Sequence, residues 1–126
     1  MACILCIDNC TYELANTVPM LRAHGHQVLA AIETADVLNA VANHGVEVVV
    51  LNCSASKNTS DIVLGLRLIR PDIAIVMMSA YCPLPCDRLR YADCCIQKGD
   101  SAAALLRTLD TVLCAKRYGL CRCIAA

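Results

Sequence analysis

The chain has 126 residues, 58% of them hydrophobic and 17% charged, with eleven basic residues balancing eleven acidic ones. That length fits one domain whose core needs no metal or disulfide staples, and the apolar content excludes intrinsic disorder. Zero net charge argues against a broad footprint for nucleic acid or anionic lipid, and with four Tyr, no Phe and no Trp the stacking platforms of a single-strand binder are missing.

The first apolar run, Cys3–Ile7, has the length of a strand. It lacks a basic flank and meets Asp8 at once, so it does not read as a secretion signal. A helix follows, with Leu14, Val18 and Leu21 on one face and Gly25 as its stop; Pro19 inside it predicts a kink or a late start. Gln27–Ala31 reads as the second strand. Thr34 caps a helix carrying Val37, Leu38 and Val41 that ends before Gly45. Residues 46–51 form the third strand. Thr59 or Ser60 then caps a helix carrying Ile62, Val63, Leu66 and Ile69, stopped before Pro71. Residues 73–79 are the fourth strand, 84–91 a short helix behind Pro83 and Pro85, and 93–97 the fifth strand. Asp100 or Ser101 caps a last helix with Leu105, Leu106, Leu109, Val112 and Leu113 on its apolar face, and Gly119 lies beyond its end.

Five β-α units in this order predict one α/β domain, a doubly wound parallel sheet with right-handed crossovers. The near-continuous apolar strands suit a sheet covered on both faces. The domain is expected to span 1–126, with its core at about 2–116, a short tail at 117–126 and no output domain. The longest apolar runs are strand-length, far below the roughly 20 residues that span a bilayer. No membrane contact is expected, and the expected location is the cytoplasm.

Eleven cysteines reach the density of a disulfide scaffold, but the count is odd and no secretory signal accompanies it. Cys3, Cys6, Cys94 and Cys95 sit inside apolar strands and read as small hydrophobes. Cys3, Cys6 and Cys10 have a metal-like spacing, yet on a strand Cys3 and Cys6 point to opposite faces and cannot converge. The better thiol candidates are Cys82 and Cys86, which flank Pro83-Leu84-Pro85, and Cys121 and Cys123 in the tail. There Lys116, Arg117 and Arg122 would make a thiol more acidic. His24, His26 and His44 lie near helix ends without an evident catalytic partner; His24 suits the carboxyl end of its helix.

Ligands of such sheets bind at the carboxyl ends of the strands. Those ends read Ile7-Asp8-Asn9, Leu51-Asn52-Cys53, Met78-Ser79-Ala80 and Gln97-Lys98-Gly99. Together with Ile4-Leu5-Cys6-Ile7-Asp8-Asn9, Gly25-His26-Gln27-Val28, the run from Arg70-Pro71-Asp72 to Ser79-Ala80, and Ala92-Asp93-Cys94-Cys95-Ile96-Gln97-Lys98, they resemble a response-regulator receiver domain of two-component phosphorelay signalling. The resemblance covers essentially the whole chain. It implies a flavodoxin-like (βα)5 fold with a five-stranded parallel sheet. It also implies a pocket in which an aspartate after the third strand accepts a phosphoryl group, an acidic pair helps hold a divalent cation, and a hydroxyl and a lysine bind the phosphoryl oxygens.

Carried onto this chain, the resemblance puts Asn52 at the acceptor position, Asp8 and Asn9 at the acidic pair, Ser79 at the switch hydroxyl and Lys98 at the lysine. Cys95 falls where such domains often carry a rotating aromatic switch residue. The pocket thus departs from the pattern: an amide stands for the acceptor, and Asp8 is one carboxylate where three are usual. The loop after Asn52 lacks its usual proline, and Gly99 replaces the proline after the lysine, so no cis bond is expected there. Ser79 reads equally well as a cap, and Asp8 as a salt-bridge partner of Lys98, with Asn9 and Asn52 completing a hydrogen-bonded cluster. The expectation is a degenerate receiver, not an enzyme, that is not phosphorylated on Asn52. It needs no cofactor, holds Mg²⁺ at most weakly at Asp8, and acts on a signalling protein or a second copy. The implied contact surface comprises the fourth helix, fifth strand and fifth helix, roughly from Leu84 to Leu113. Two other readings remain: a phosphorelay receiver whose substituted pocket still works, and a thiol-based redox or metal sensor on the same scaffold.

Overall fold

Short runs that are apolar on both faces are stable as parallel strands only where helices cover both sides of the sheet. The computed structural model, which describes residues 2–8, 11–32, 34–53, 59–79, 92–97 and 102–117, meets that requirement. Its elements in chain order are β1 (Cys3–Ile7), α1 (Thr11–Ala23), β2 (Gln27–Ala31), α2 (Thr34–Asn43), β3 (Val48–Cys53), α3 (Thr59–Ile69), β4 (Ala74–Ser79), β5 (Cys94–Gln97) and α4 (Ala102–Arg117). The strands form one five-stranded sheet in the order β2-β1-β3-β4-β5, and every neighbouring pair is parallel. The winding reverses between β1 and β3, so the crevice beyond their carboxyl ends is the switch point.

Strand alternation sorts the core into two layers. Leu5 and Ile7, Val49 and Leu51, and Ile75 and Met77 pack with Val37 and Val41 of α2 and Ile62, Val63 and Leu66 of α3. Ile4 and Cys6, Val48 and Val50, and Ala74 and Val76 pack with Leu14, Val18 and Leu21 of α1 and Leu105, Leu109, Val112 and Leu113 of α4. Among the described residues no helix is long and apolar enough to cross a membrane.

Most boundaries fall where the residue pattern puts them. β3 does not: it begins at Val48 and runs on to Cys53, past the 46–51 expected. Polar Asn52 ended the apolar run in sequence, but its backbone continues the ladder because β4 offers partners, Asn52 opposite Met78 and Cys53 opposite Ser79. β4 and β5 each start one residue later than expected. α1 starts at Thr11 and carries Pro19 in its interior, so the late start is not realised; Pro19 cannot donate the usual backbone bond to the Ala15 carbonyl. The helix ends in a Schellman motif, with the His26 N–H on the Leu21 carbonyl at 3.4 Å and the Gly25 N–H on the Arg22 carbonyl at 3.0 Å. That closure needs the left-handed backbone of Gly25, whose φ is +86°. The helix expected over 84–91 lies outside the described residues.

On α3 the spacing separates two leucines only two positions apart. Leu66 is fully buried, whereas Leu68 is 83% exposed. Ile69, read as core from its spacing, is 43% exposed in the last turn. Leu66→Ala is expected to cost about 2–5 kcal/mol, and Leu68→Ala to stay within about 0.5 kcal/mol of the parent, as measured by urea denaturation.

Candidate functional site

The first polar side chains to follow the buried strands meet at the switch point. Ile7 of β1 is registered with Leu51 of β3, so the next residues along, Asp8 and Asn52, lie side by side. The Asp8 N–H is tied to the Ala31 carbonyl of β2 at 3.2 Å, and its carboxylate is only 6% exposed. Asn52 is half-buried, and its Nδ2 donates a hydrogen bond to Oδ2 of Asp8. The amide group therefore turns an N–H toward the carboxylate. A cation shared by these two side chains would need the Asn52 oxygen turned that way instead.

The remaining positions divide into those the structure places and those it does not. Ser79 ends β4, in register with Cys53 on one side and Gln97 on the other, so its backbone stands at the same carboxyl edge. Cys95 lies two register positions before that edge, opposite Met77. It is buried against the α2–α3 layer and not turned toward the crevice. Asn9, Lys98, Cys10, Cys82, Cys86, Cys121 and Cys123 lie outside the described residues, and with them the expected Asp8–Lys98 pair.

The strand cysteines behave as the alternation requires. Cys3 and Cys95 fall in one core layer and Cys6 and Cys94 in the other. Among the described residues no three His, Cys, Asp or Glu side chains converge on a metal position. Burial first, and then the neighbouring Asp8 carboxylate, push the Cys6 thiol up from 9.0 to about 12, against the Arg22 guanidinium, which lowers it. Burial and then Glu47 push the Cys3 thiol up as well. A raised thiol is the opposite of a reactive one. Cys114, exposed on α4, was not singled out by sequence; the signal was its place off the 105/109/113 face. His24 does cap its helix, with Nδ1 donating to the Met20 carbonyl at 3.0 Å.

A second polar cluster, Arg67 with Asp93, was also not anticipated. Asp93 read as the opening residue of a strand, yet it is 6% exposed and paired with Arg67 at 2.9 Å. A charged residue at the head of an otherwise apolar strand was the available signal.

Of the expected contact surface from Leu84 to Leu113, residues 92–97 and 102–113 are among the described residues. Leu105, Leu109 and Leu113 are core residues, so α4 meets solvent through Ala102, Ala103, Arg107, Asp110, Thr111 and Cys114. Among the described residues the exposed large apolar side chains are Ile32, Leu64, Leu68 and Ile69, three of them on α3.

No family model matches the chain, and no curated protein sequence is significantly similar to it. Solved structures are similar. A CheY-like response regulator receiver domain from Methanospirillum hungatei superposes with a TM-score of 0.84 at 18% identity, over 94% of this chain and 98% of that one. The response regulator TrrA from Thermotoga maritima, in complex with Mg²⁺ and BeF, gives 0.78 at 18% identity, over 88% and 98%. NtrX from Brucella abortus gives 0.85 at 20% identity, over 94% of this chain but only 28% of that protein. The fold is thus the flavodoxin-like fold of response-regulator receivers.

The Cys6 thiol sets a pH dependence of stability. In the unfolded chain it ionises near 9.0, whereas the native state keeps the proton up to about 12. Its contribution is therefore intact below pH 9.0 and lost as pH rises toward 12. The urea midpoint is expected to fall between about pH 8 and about pH 10.5, and to fall less steeply in Cys6→Ala.

Proposed function

We propose that this chain is a degenerate receiver of two-component phosphorelay signalling. It works by protein–protein contact, without phosphorylation at the acceptor position and without catalysis of its own. The hydrogen bond from Asn52 to Asp8 carries this reading. Two carboxylates at these positions would repel and recruit a cation. An amide donor facing one carboxylate attracts it. An amide oxygen is also a far poorer nucleophile than a carboxylate, so an acyl phosphate on Asn52 has no route of formation.

This reading keeps Lys98 and Asn9, which lie outside the described residues, and Ser79 as the positions that the sequence resemblance assigns to the pocket. TrrA was solved with Mg²⁺ and BeF; here the donor set of one carboxylate and two amides suits that ion poorly, because Mg²⁺ prefers charged oxygens in strict octahedral geometry. The partner is a signalling protein or a second copy of this chain, meeting the surface between Leu84 and Leu113, whose α4 portion is polar or small. Nucleic acid and membrane are not its targets, and the cytoplasm is its place.

Incubation with acetyl phosphate and Mg²⁺ is expected to leave the intact mass unchanged. A stoichiometric, hydroxylamine-labile phosphoryl adduct would instead establish a working phosphorelay receiver. Millimolar Mg²⁺ is expected to leave the melting temperature unchanged, since a ligand that scarcely binds the native state cannot stabilise it. Asp8→Asn removes a charge-assisted bond in a buried setting and is expected to destabilise the fold by about 1–3 kcal/mol. A Mg²⁺-dependent rise in melting temperature that disappears in Asp8→Asn would show a metal site and sink the reading.

A further inference from the structure

The Arg67–Asp93 cluster lies at the amino-terminal edge of the sheet, away from the crevice. Arg67 Nη2 donates to Asp93 Oδ2 at 2.9 Å, and the same oxygen accepts the Ile75 N–H at 2.7 Å. Arg67 Nη1 donates to the Ile73 carbonyl at 2.5 Å and the Pro71 carbonyl at 3.3 Å. The Asp93 N–H in turn donates to the Ile75 carbonyl at 2.8 Å. The two side chains are 14% and 7% exposed.

Ile75 therefore gives its N–H to, and receives at its carbonyl from, one and the same residue. In a parallel ladder those two bonds go to residues two positions apart on the partner strand. We infer that the Asp93 carboxylate stands in for the upstream backbone carbonyl of β5 and acts as the register clamp of that strand, with Arg67 holding it in place.

β5 needs such a device. It has four residues, Cys94 to Gln97, and lies at the edge of the sheet. A slip by one residue exchanges the two faces of a strand, and burial normally forbids it. Here Cys94 and Cys95 do not resist a slip, being the same residue on opposite faces, so within the strand only buried Ile96 and exposed Gln97 oppose it. The clamp selects the pairing of Val76 with Cys94 through to Ser79 with Gln97. It thereby sets that Gln97 is the β5 residue beside Ser79 at the carboxyl edge. Asp93 and Arg67 are in this sense positioning residues for the crevice they do not touch.

The test compares Asp93→Asn with Asp93→Ala by amide hydrogen exchange and by cross-strand nuclear Overhauser contacts between Met78 and Ile96. An asparagine carbonyl still accepts from Ile75, so Asp93→Asn is expected to keep the Met78–Ile96 contacts and to hold Ile75 protection within about tenfold. Asp93→Ala is expected to lose those contacts and about 100-fold of Ile75 protection, while Leu5 and Val49 in the sheet centre keep theirs. Wild-type protection and pairing in Asp93→Ala would overturn the clamp. So would equal loss in both variants, which is the signature of a plain ion pair. Should Asp93→Ala not fold, Asp93→Asn decides by itself: lost pairing overturns the inference. Neither readout depends on phosphorylation or Mg²⁺, so the clamp and the degenerate-receiver reading stand or fall separately.

Discussion

A parallel sheet buried on both faces leaves no room for polar side chains along its middle. That constraint arranges everything else in this molecule. β1, β3 and β4 run through the centre as apolar segments up to their carboxyl ends, with two of the described helices against each face. Chemistry is confined to the two edges where those runs stop. At the carboxyl edge the first polar groups are Asp8 and Asn52, brought together because β1 and β3 are neighbours. At the amino edge the buried charge is Asp93, matched by Arg67.

Both clusters solve the same problem in different ways. A carboxylate out of reach of water is costly unless hydrogen-bonded or paired. Asp8 meets an amide donor from Asn52. Asp93 meets a guanidinium and a backbone N–H. In neither case do the residues in contact bring a second carboxylate beside the first. The carboxyl-edge pair is an amide donor on a carboxylate, and it joins two neighbouring strands at the edge where ligands bind in this class of fold.

The cysteines follow the same constraint. In the sheet Cys3, Cys6, Cys94 and Cys95 fill space as small hydrophobes, and burial raises the thiols of Cys3 and Cys6. Their abundance weakens one kind of specification. In β5 the pair Cys94 and Cys95 does not distinguish the two faces, so buried Ile96 and exposed Gln97 mark them, and the polar contact of Asp93 adds to that marking.

The order of elements, the parallel class of the sheet and most strand positions were legible in the residues, because apolar run length and helical spacing are local properties. So was the opposition of Cys3 and Cys6, which follows from strand alternation alone, and so was Asp8 at the edge where ligands bind in this class of fold. What tertiary structure decided was pairing. That Asn52 continues β3 depended on β4 reaching as far as Ser79. That the Asn52 amide faces Asp8 depended on the adjacency of two strands separated in the chain by two helices and another strand. That Asp93 is a clamp and not the first residue of β5 depended on Arg67, 26 residues earlier. Each is a contact between distant parts of the chain, and no local pattern of residues encodes which distant partner arrives.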